Sequence, residues 1–209
     1  MSGIISQNVA RTSGLVKPVA AAGGTWTLIK TLTSDGSDSD LSFVDGSDDV
    51  TLDSTYPIYV FKFINIHPET DNVNFEFNMS ADGGSNYNVT KNTTYFTAWH
   101  SEDDNETNLA YSAGNDLLES TSFQRIAAGL GNGNDESTSG YMYLFNPSST
   151  TFVKNFISSV NLVYSADYSM QNFISGHGNT TSAIDAIQFK MSADEIQGGK
   201  IKLYGIGDS

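Results

Sequence analysis

"VNFEFNMSADGGSNYNVT" occupies residues 73–90, and its alternation decides the fold class. Val73, Phe75, Phe77 and Met79 share one face of an extended segment, while Asn74, Glu76 and Asn78 share the other. Successive side chains of a strand point to opposite faces, so this pattern predicts an antiparallel strand with one face on a core and one in water. Ala81 to Asn86 then supply turn chemistry, because glycine admits positive φ and aspartate bonds its own backbone. The expected product is a hairpin between "NFEFNM" and "YNVT".

Outward from this stretch, strand follows strand. "TWTLIKTL" (25–32) alternates and sets Trp26, Leu28 and Leu32 on one face, whereas "YPIYVFKFI" (56–64) is apolar on both, as a central strand covered on both sides should be. "YFTAWH" (95–100), "YMYLF" (141–145), "FVKNFI" (152–157), "NLVY" (161–164), "MQNFIS" (170–175), "AIDAIQFKM" (183–191) and "KIKLYGI" (200–206) continue the pattern. About ten strands separated by turn signals predict an all-β antiparallel sandwich, of jelly-roll type. One short helix is expected near residues 115–120. Residues 1–24 read as an N-terminal arm in which Ile4, Ile5, Leu15 and Val16 are available to dock on a neighbour, and 25–209 as a single β-sandwich domain.

Composition narrows the function classes. The chain has 209 residues with 24 acidic and 10 basic side chains, a formal charge of −14. Nucleic-acid binders need basic groups to neutralise phosphates, and no Lys/Arg cluster exists here, so neither nucleic acid nor an anionic membrane is an expected partner. Cysteine is absent, which removes disulfides, thiolate catalysis and cysteine zinc sites. Residues 1–25 lack the apolar run of a signal peptide, and no stretch approaches the roughly 20 apolar residues of a membrane-spanning helix.

Ser80, Asp82, Gly84 and Tyr87 fall at the spacing of the Asp-box, the turn signature of sialidases, but a single copy and few arginines leave it a folding device. Glu76, Asp185 and Glu195 are the carboxylates a glycosidase pair would draw on, yet none is joined to another by a motif. His67, His100 and His177 lie far apart with no zinc spacing, and no nucleophile-elbow or phosphate-loop motif occurs. The expectation is therefore no enzyme and no required cofactor. Ca²⁺ is the candidate metal, because Asp35, Asp38 and Asp40, and again Asp45, Asp48 and Asp49, place hard oxygen ligands on short loops. Tyr95 with Trp99, and Tyr141 with Tyr143, are the candidate stacking platforms for a glycan, although alternating aromatics more often fill a core.

Taken in order, "SGIISQNVARTSGLVKP", "GTWTLIKTL", "LSFVDGSDDVTLDSTYPIYVFKFINIHPETD", "FNMSADGGSNYNV", "SGYMYLFNPSSTTFVKNF" and "AIDAIQFKMSADEIQGGKIKLYGI" resemble a family of small virion-associated proteins of tailed bacteriophages, marine ones especially. The resemblance covers nearly the whole chain. Its most specific parts are Tyr56 and Tyr59 leading to "INIHP", and the closing "I-x-G-G-x-I-x-L-Y-G-I" at 196–206. It implies a structural role on the particle, in capsid decoration or a tail appendage, with other virion proteins and further copies of the chain as partners. A trimer is the favoured oligomer and the virion the expected location. It implies no catalytic residues. A carbohydrate- or receptor-binding module of a fibre is the alternative.

Overall fold

The computed structural model describes residues 25–208, all of it strand and loop. Twelve strands follow one another: β1 (Trp26–Thr33), β2 (Asp40–Val44), β3 (Ile58–Pro68), β4 (Val73–Ser80), β5 (Lys91–Ser101), β6 (Thr107–Tyr111), β7 (Gln124–Leu130), β8 (Thr138–Phe145), β9 (Lys154–Tyr164), β10 (Tyr168–Gly178), β11 (Ala186–Met191) and β12 (Ile196–Ile206). Every pairing is antiparallel. Ile4, Ile5, Leu15 and Val16 of the expected arm lie outside the described residues.

The strands form two ribbons. The large one runs β1-β12-β3-β8-β9-β10-β5-β6, and the small one runs β7-β4-β11-β2. Each seam between them is a single bridge, Leu130 to Tyr164 on one side and Asp38 to Ile196 on the other. The antiparallel sheet is thereby nearly closed into a barrel. Four pairings are nested along the chain: β2 with β11, β3 with β8, β4 with β7, and β5 with β6.

The core lies between the ribbons. Phe189 of β11 packs against Phe43, Phe75 and Phe77 of the small ribbon and Phe61 and Phe63 of β3, with ring centroids 5.2–6.3 Å apart. Two of these pairs, with Phe43 and Phe63, meet edge to face, Phe75 stacks, and Phe61 and Phe77 are tilted. Edge-to-face and offset-stacked contacts are those the ring quadrupole favours. Val73, Phe75, Phe77 and Met79 are buried as the alternation of β4 demands.

Several local expectations change. Ser80 and Asp82 do organise the turn after β4: Gly84 N–H donates to Ser80 Oγ (3.0 Å) and Asn86 N–H to Asp82 Oδ1 (2.9 Å). The two arms touch, Val89 N–H donating to Met79 O and Asn78 Nδ2–H to Tyr87 O, but residues 87–90 form no strand and the ladder partners of β4 are β11 and β7. The turn is a corner carrying the chain from one ribbon to the other. Residues 115–120 form no helix, because their backbone is engaged by β5: Thr93 N–H donates to Leu117 O, and Lys91 N–H to Ser120 O. "FVKNFI" and "NLVY" merge into one strand, β9, and two strands, β6 and β7, appear in segments that were not read as strand.

The "I-x-G-G" motif also finds its reason. Gly199 has φ +106°, and a Cβ there would sit 2.4 Å from Asn65 O. Only glycine lets β12 pass the bulge in β3 at that point.

Candidate functional site

The candidate site is the outer face of the large ribbon, the side turned away from the core. Strand register arranges it in cross-strand rows. One row reads Trp26, Ile206, Ile58, Phe145. The next reads Leu28, Tyr204, Val60, Tyr143, Ile157, followed by Ser175 and Thr94. The third reads Lys202, Lys62, Tyr141, Ser159, Phe173, Phe96, Tyr111.

Side chains facing one another across neighbouring strands interact, and these build a thin second cluster. The Trp26 ring meets Tyr204 at 5.6 Å and Tyr143 at 6.4 Å, both edge to face. Lys62 Nζ lies 4.4 Å from the Trp26 centroid, a cation–π contact. Val60 is fully buried beneath this cluster. Tyr143 stacks on Phe145, and Phe96 on Phe173 at 4.8 Å and 13°. The cluster nevertheless stays open to water: Leu28 and Ile157 are each 50% exposed, and Trp26, Phe96, Tyr111 and Tyr141 are exposed as well.

The charge pattern is equally lopsided. No strand of the large ribbon contains an Asp or Glu, although the chain has 24. The same strands hold Lys30, Lys62, Lys91, Lys154, Lys200 and Lys202, six of the ten basic residues. Lys91 and Lys154 turn inward. They sit either side of Gly178 in the register and are fully buried without a carboxylate partner. Lys91 Nζ donates to Asn78 Oδ1 and Val89 O, and Lys154 Nζ to Ser149 O (2.6 Å) and Phe152 O (2.7 Å). Burial pushes the Lys91 ammonium down to about 7, and lowers Lys154 in the same direction.

The structure separates the residues singled out from sequence. Tyr141 and Tyr143 lie on the outer face, their rings 5.4 Å apart at 80°, a corner and not a flat platform. Tyr95 is fully buried in the core, its hydroxyl donating to Ile126 O, so it offers no surface. Trp99, on the same face of β5, lies half-buried beyond the cover of the small ribbon, in contact with Tyr168. Trp26 and Leu28 face outward, whereas Leu32 packs on the core. A bulge between Leu28 and Lys30 switches the face, which the alternation of "TWTLIKTL" could not reveal.

The aspartate loops work as turns. Asp35 Oδ1 accepts from Ser37 N–H and Oγ–H, which holds its carboxyl below the usual range; Asp38 Oδ2 accepts from Asp35 N–H, and Asp45 Oδ1 from Leu52 N–H. Asp40 accepts from Ser42, and Asp48 and Asp49 carry the positive φ of their turn. Among the described residues, no three metal-ligating side chains converge. Glu76 lies beside Lys190 and Arg125, and burial raises its carboxyl against their pull. Asp185 receives Gly83 N–H, and Glu195 adjoins β12, so the three carboxylates belong to different places. His100 pairs with Asp104 at 2.9 Å, and His67 contacts Gly133 O. No helix of the described residues is long and apolar enough to cross a membrane.

What sequence reading missed is the outer aromatic rows as a unit. Their signal was the absence of carboxylates from eight strand segments, visible once the segments are grouped. Comparison with protein-family models, curated proteins and solved structures finds no match to this chain.

Proposed function

We propose that this chain is a structural protein of a bacteriophage virion, a capsid-decoration or tail-appendage component that acts by adhesion and not by catalysis. The observation that carries the proposal is the outer face of the large ribbon: aromatic, exposed, and free of strand carboxylates in a chain of net charge −14. Monomeric soluble proteins seldom leave so large an apolar patch uncovered. The three side-chain rows, on strands ~4.8 Å apart with same-face residues ~6.8 Å apart, give a face on the order of 600 Å². That approaches the roughly 800 Å² per partner of a standard protein interface. The occupant proposed is another copy of this chain in a homo-oligomer, with a trimer favoured, and the remaining acidic surface faces solvent or other virion proteins. Its place of action is then the virion, after synthesis in the bacterial host.

The nested pairings support reading the fold as a jelly-roll sandwich. Taken in chain order, β2, β3, β4, β5, β6, β7, β8 and β11 pair first with last, second with seventh, third with sixth and fourth with fifth, as in a long hairpin wound on itself. The β9–β10 hairpin is inserted between β8 and β5, and β12 and β1 extend the ribbon beyond β3. Viral capsid and lectin domains both use jelly rolls, so the fold is an analogy and the face is the argument.

A second reading is a carbohydrate- or receptor-binding module of a phage fibre, favoured by the stacked Tyr143 and Phe145 beside exposed Tyr141. Light scattering after size exclusion tests the first. The full chain is expected as an oligomer, and the double variant Tyr141→Glu, Ile157→Glu as a folded monomer. A full chain that is monomeric at every concentration overturns self-assembly. Retention of a neutral glycan by that monomer, lost in Tyr141→Glu, would favour the second reading.

A further inference from the structure

The inner face of the large ribbon is longer than the small ribbon that covers it. Beyond the end of β7 it opens into a cleft of about 460 Å³ lined by Trp99, Glu106, Tyr164, Ala166, Tyr168 and Met170. Trp99 of β5 stands 5.0 Å from Tyr168 of β10 at 80°, and Tyr164 of β9 stands 5.9 Å from Tyr168 at 63°. These rings make a corner with walls set steeply to one another. Gly129 holds that corner open: it has φ +72°, and the Tyr164 ring occupies the place a Cβ would take, 2.1 Å away.

One carboxylate enters the corner. Glu106 lines it and accepts a long hydrogen bond of 3.4 Å from the Tyr168 hydroxyl. The adjoining hollow shares Glu106, Ala166 and Tyr168 and adds Glu102, Asp103 and Asp167. No lysine or arginine lines either hollow, nor the one on the far side that shares Tyr164 and Met170. The charge of Glu106 raises the Tyr168 phenol, consistent with a negative potential here.

We propose that this corner binds an organic cation, an alkylammonium or guanidinium group, against the Trp99, Tyr164 and Tyr168 rings with Glu106 as counter-charge. Aromatic faces attract cations through the ring quadrupole, and steeply crossed walls surround an ammonium head better than they stack a flat sugar. The carboxylates repel phosphates and acidic sugars. The inference stands apart from the assembly reading, since the corner is on the opposite face from the outer rows.

Saturation-transfer NMR on the full chain at low salt tests it, with choline as probe and 3,3-dimethyl-1-butanol as its uncharged isostere. Choline is expected to bind and the isostere to bind more weakly. Glu106→Gln, which keeps the shape of an exposed loop residue, is expected to weaken choline about threefold, the worth of one ion pair at an exposed site. Trp99→Ala is expected to abolish the signal, and Trp99→Tyr to retain part of it should the alanine variant fail to fold. Equal binding of the isostere, or choline binding that survives Trp99→Ala, overturns the proposal. So does absence of choline binding, or a neutral oligosaccharide bound in its place. A peptide of residues 1–24, which carries Arg11 and Lys17 and no acidic side chain, separates two sources of the cation. Displacement of choline assigns it to the chain's own segment, and persistence of choline beside the peptide assigns it to an external amine.

Discussion

The two ribbons share a core but treat their outer faces in opposite ways. The small ribbon follows the ordinary rule for a sheet with one wet side: its outer face carries Asp40, Ser42, Asn74, Glu76, Gln188 and Lys190, linked by contacts such as Gln188 Nε2–H to Ser42 Oγ (3.1 Å) and Lys190 to Glu76 (3.9 Å). The large ribbon breaks the rule. Its outer face has rings where the small one has carboxylates and amides, and both strand carboxylates of the described chain, Asp40 and Glu76, belong to the small ribbon. The same alternation thus builds a solvated face in one layer and a face suited to burial in the other. The proposal of an assembly surface rests on this difference and on no catalytic or metal motif.

The core that joins the ribbons should show the largest effect on stability. Phe189→Ala removes a fully buried ring that touches five others, and a loss of about 3–5 kcal/mol is expected for such a cavity. Urea unfolding followed by circular dichroism measures it. A loss below about 1 kcal/mol would mean that the layers are held together elsewhere than by this ring.

Lys91 comes next and sharpens the comparison, because the large ribbon excludes carboxylates yet buries cations. Its folded value of about 7 lies below the ordinary 10.5, so between those values the unfolded chain binds more protons. Stability is therefore expected to rise with pH from about 7 upward. Tyr59 and Tyr95 act oppositely above about pH 10, where burial keeps their phenols protonated in the fold while the unfolded chain ionises. Denaturation midpoints for the native chain and Lys91→Met across pH 7–10 test this. The variant should lose most of the rise, and an unchanged slope would show that Lys91 is solvated.

Gly199→Ala should cost about 1–3 kcal/mol, since it forces a Cβ into left-handed backbone against Asn65 O. Thermal melts read it directly. A neutral result would show that the β3 bulge can relax, and that the edge of the large ribbon near its Asp38–Ile196 seam is softer than its register implies.

Much of this was legible in the sequence where a single strand carries its own information. β4 declared its two faces, and the doubly apolar "YPIYVFKFI" was read as covered on both sides; on its outer side only Val60 is buried, beneath the Trp26 cluster, while Ile58 and Lys62 are half-buried. Features that depend on a partner strand were not legible. The bulge after Leu28 has no local marker, and β7 lies within "SFQRIAAGL", where register shifts against β4 erase the alternation. Tyr95 and Trp99 share one face of β5, four residues apart; only the end of the small ribbon buries the first and opens the second. The corner beside Trp99 draws Glu106, Tyr164, Tyr168 and Met170 from other segments, so no spacing announced it.

The smallest effect on stability should come from the outer face, and it is the one that can break the comparison. Ile157 is half exposed at the centre of the rows, between Tyr143 and Ser175, and is not one of the buried core residues. Ile157→Ser should change the unfolding free energy of the dissociated chain by no more than about 0.5 kcal/mol, as for an ordinary surface site. In the assembled protein the same change removes a methyl-rich side chain from the proposed contact, so the oligomer should dissociate at higher chain concentration than the native one. Dilution series by analytical ultracentrifugation, run beside unfolding of the dilute monomer, separate the two quantities. A monomer destabilised as severely as Phe189→Ala would make the outer rows a second core that serves the fold alone. Unchanged monomer stability with weakened assembly would make them an interface, because an interface residue matters only when its partner is present.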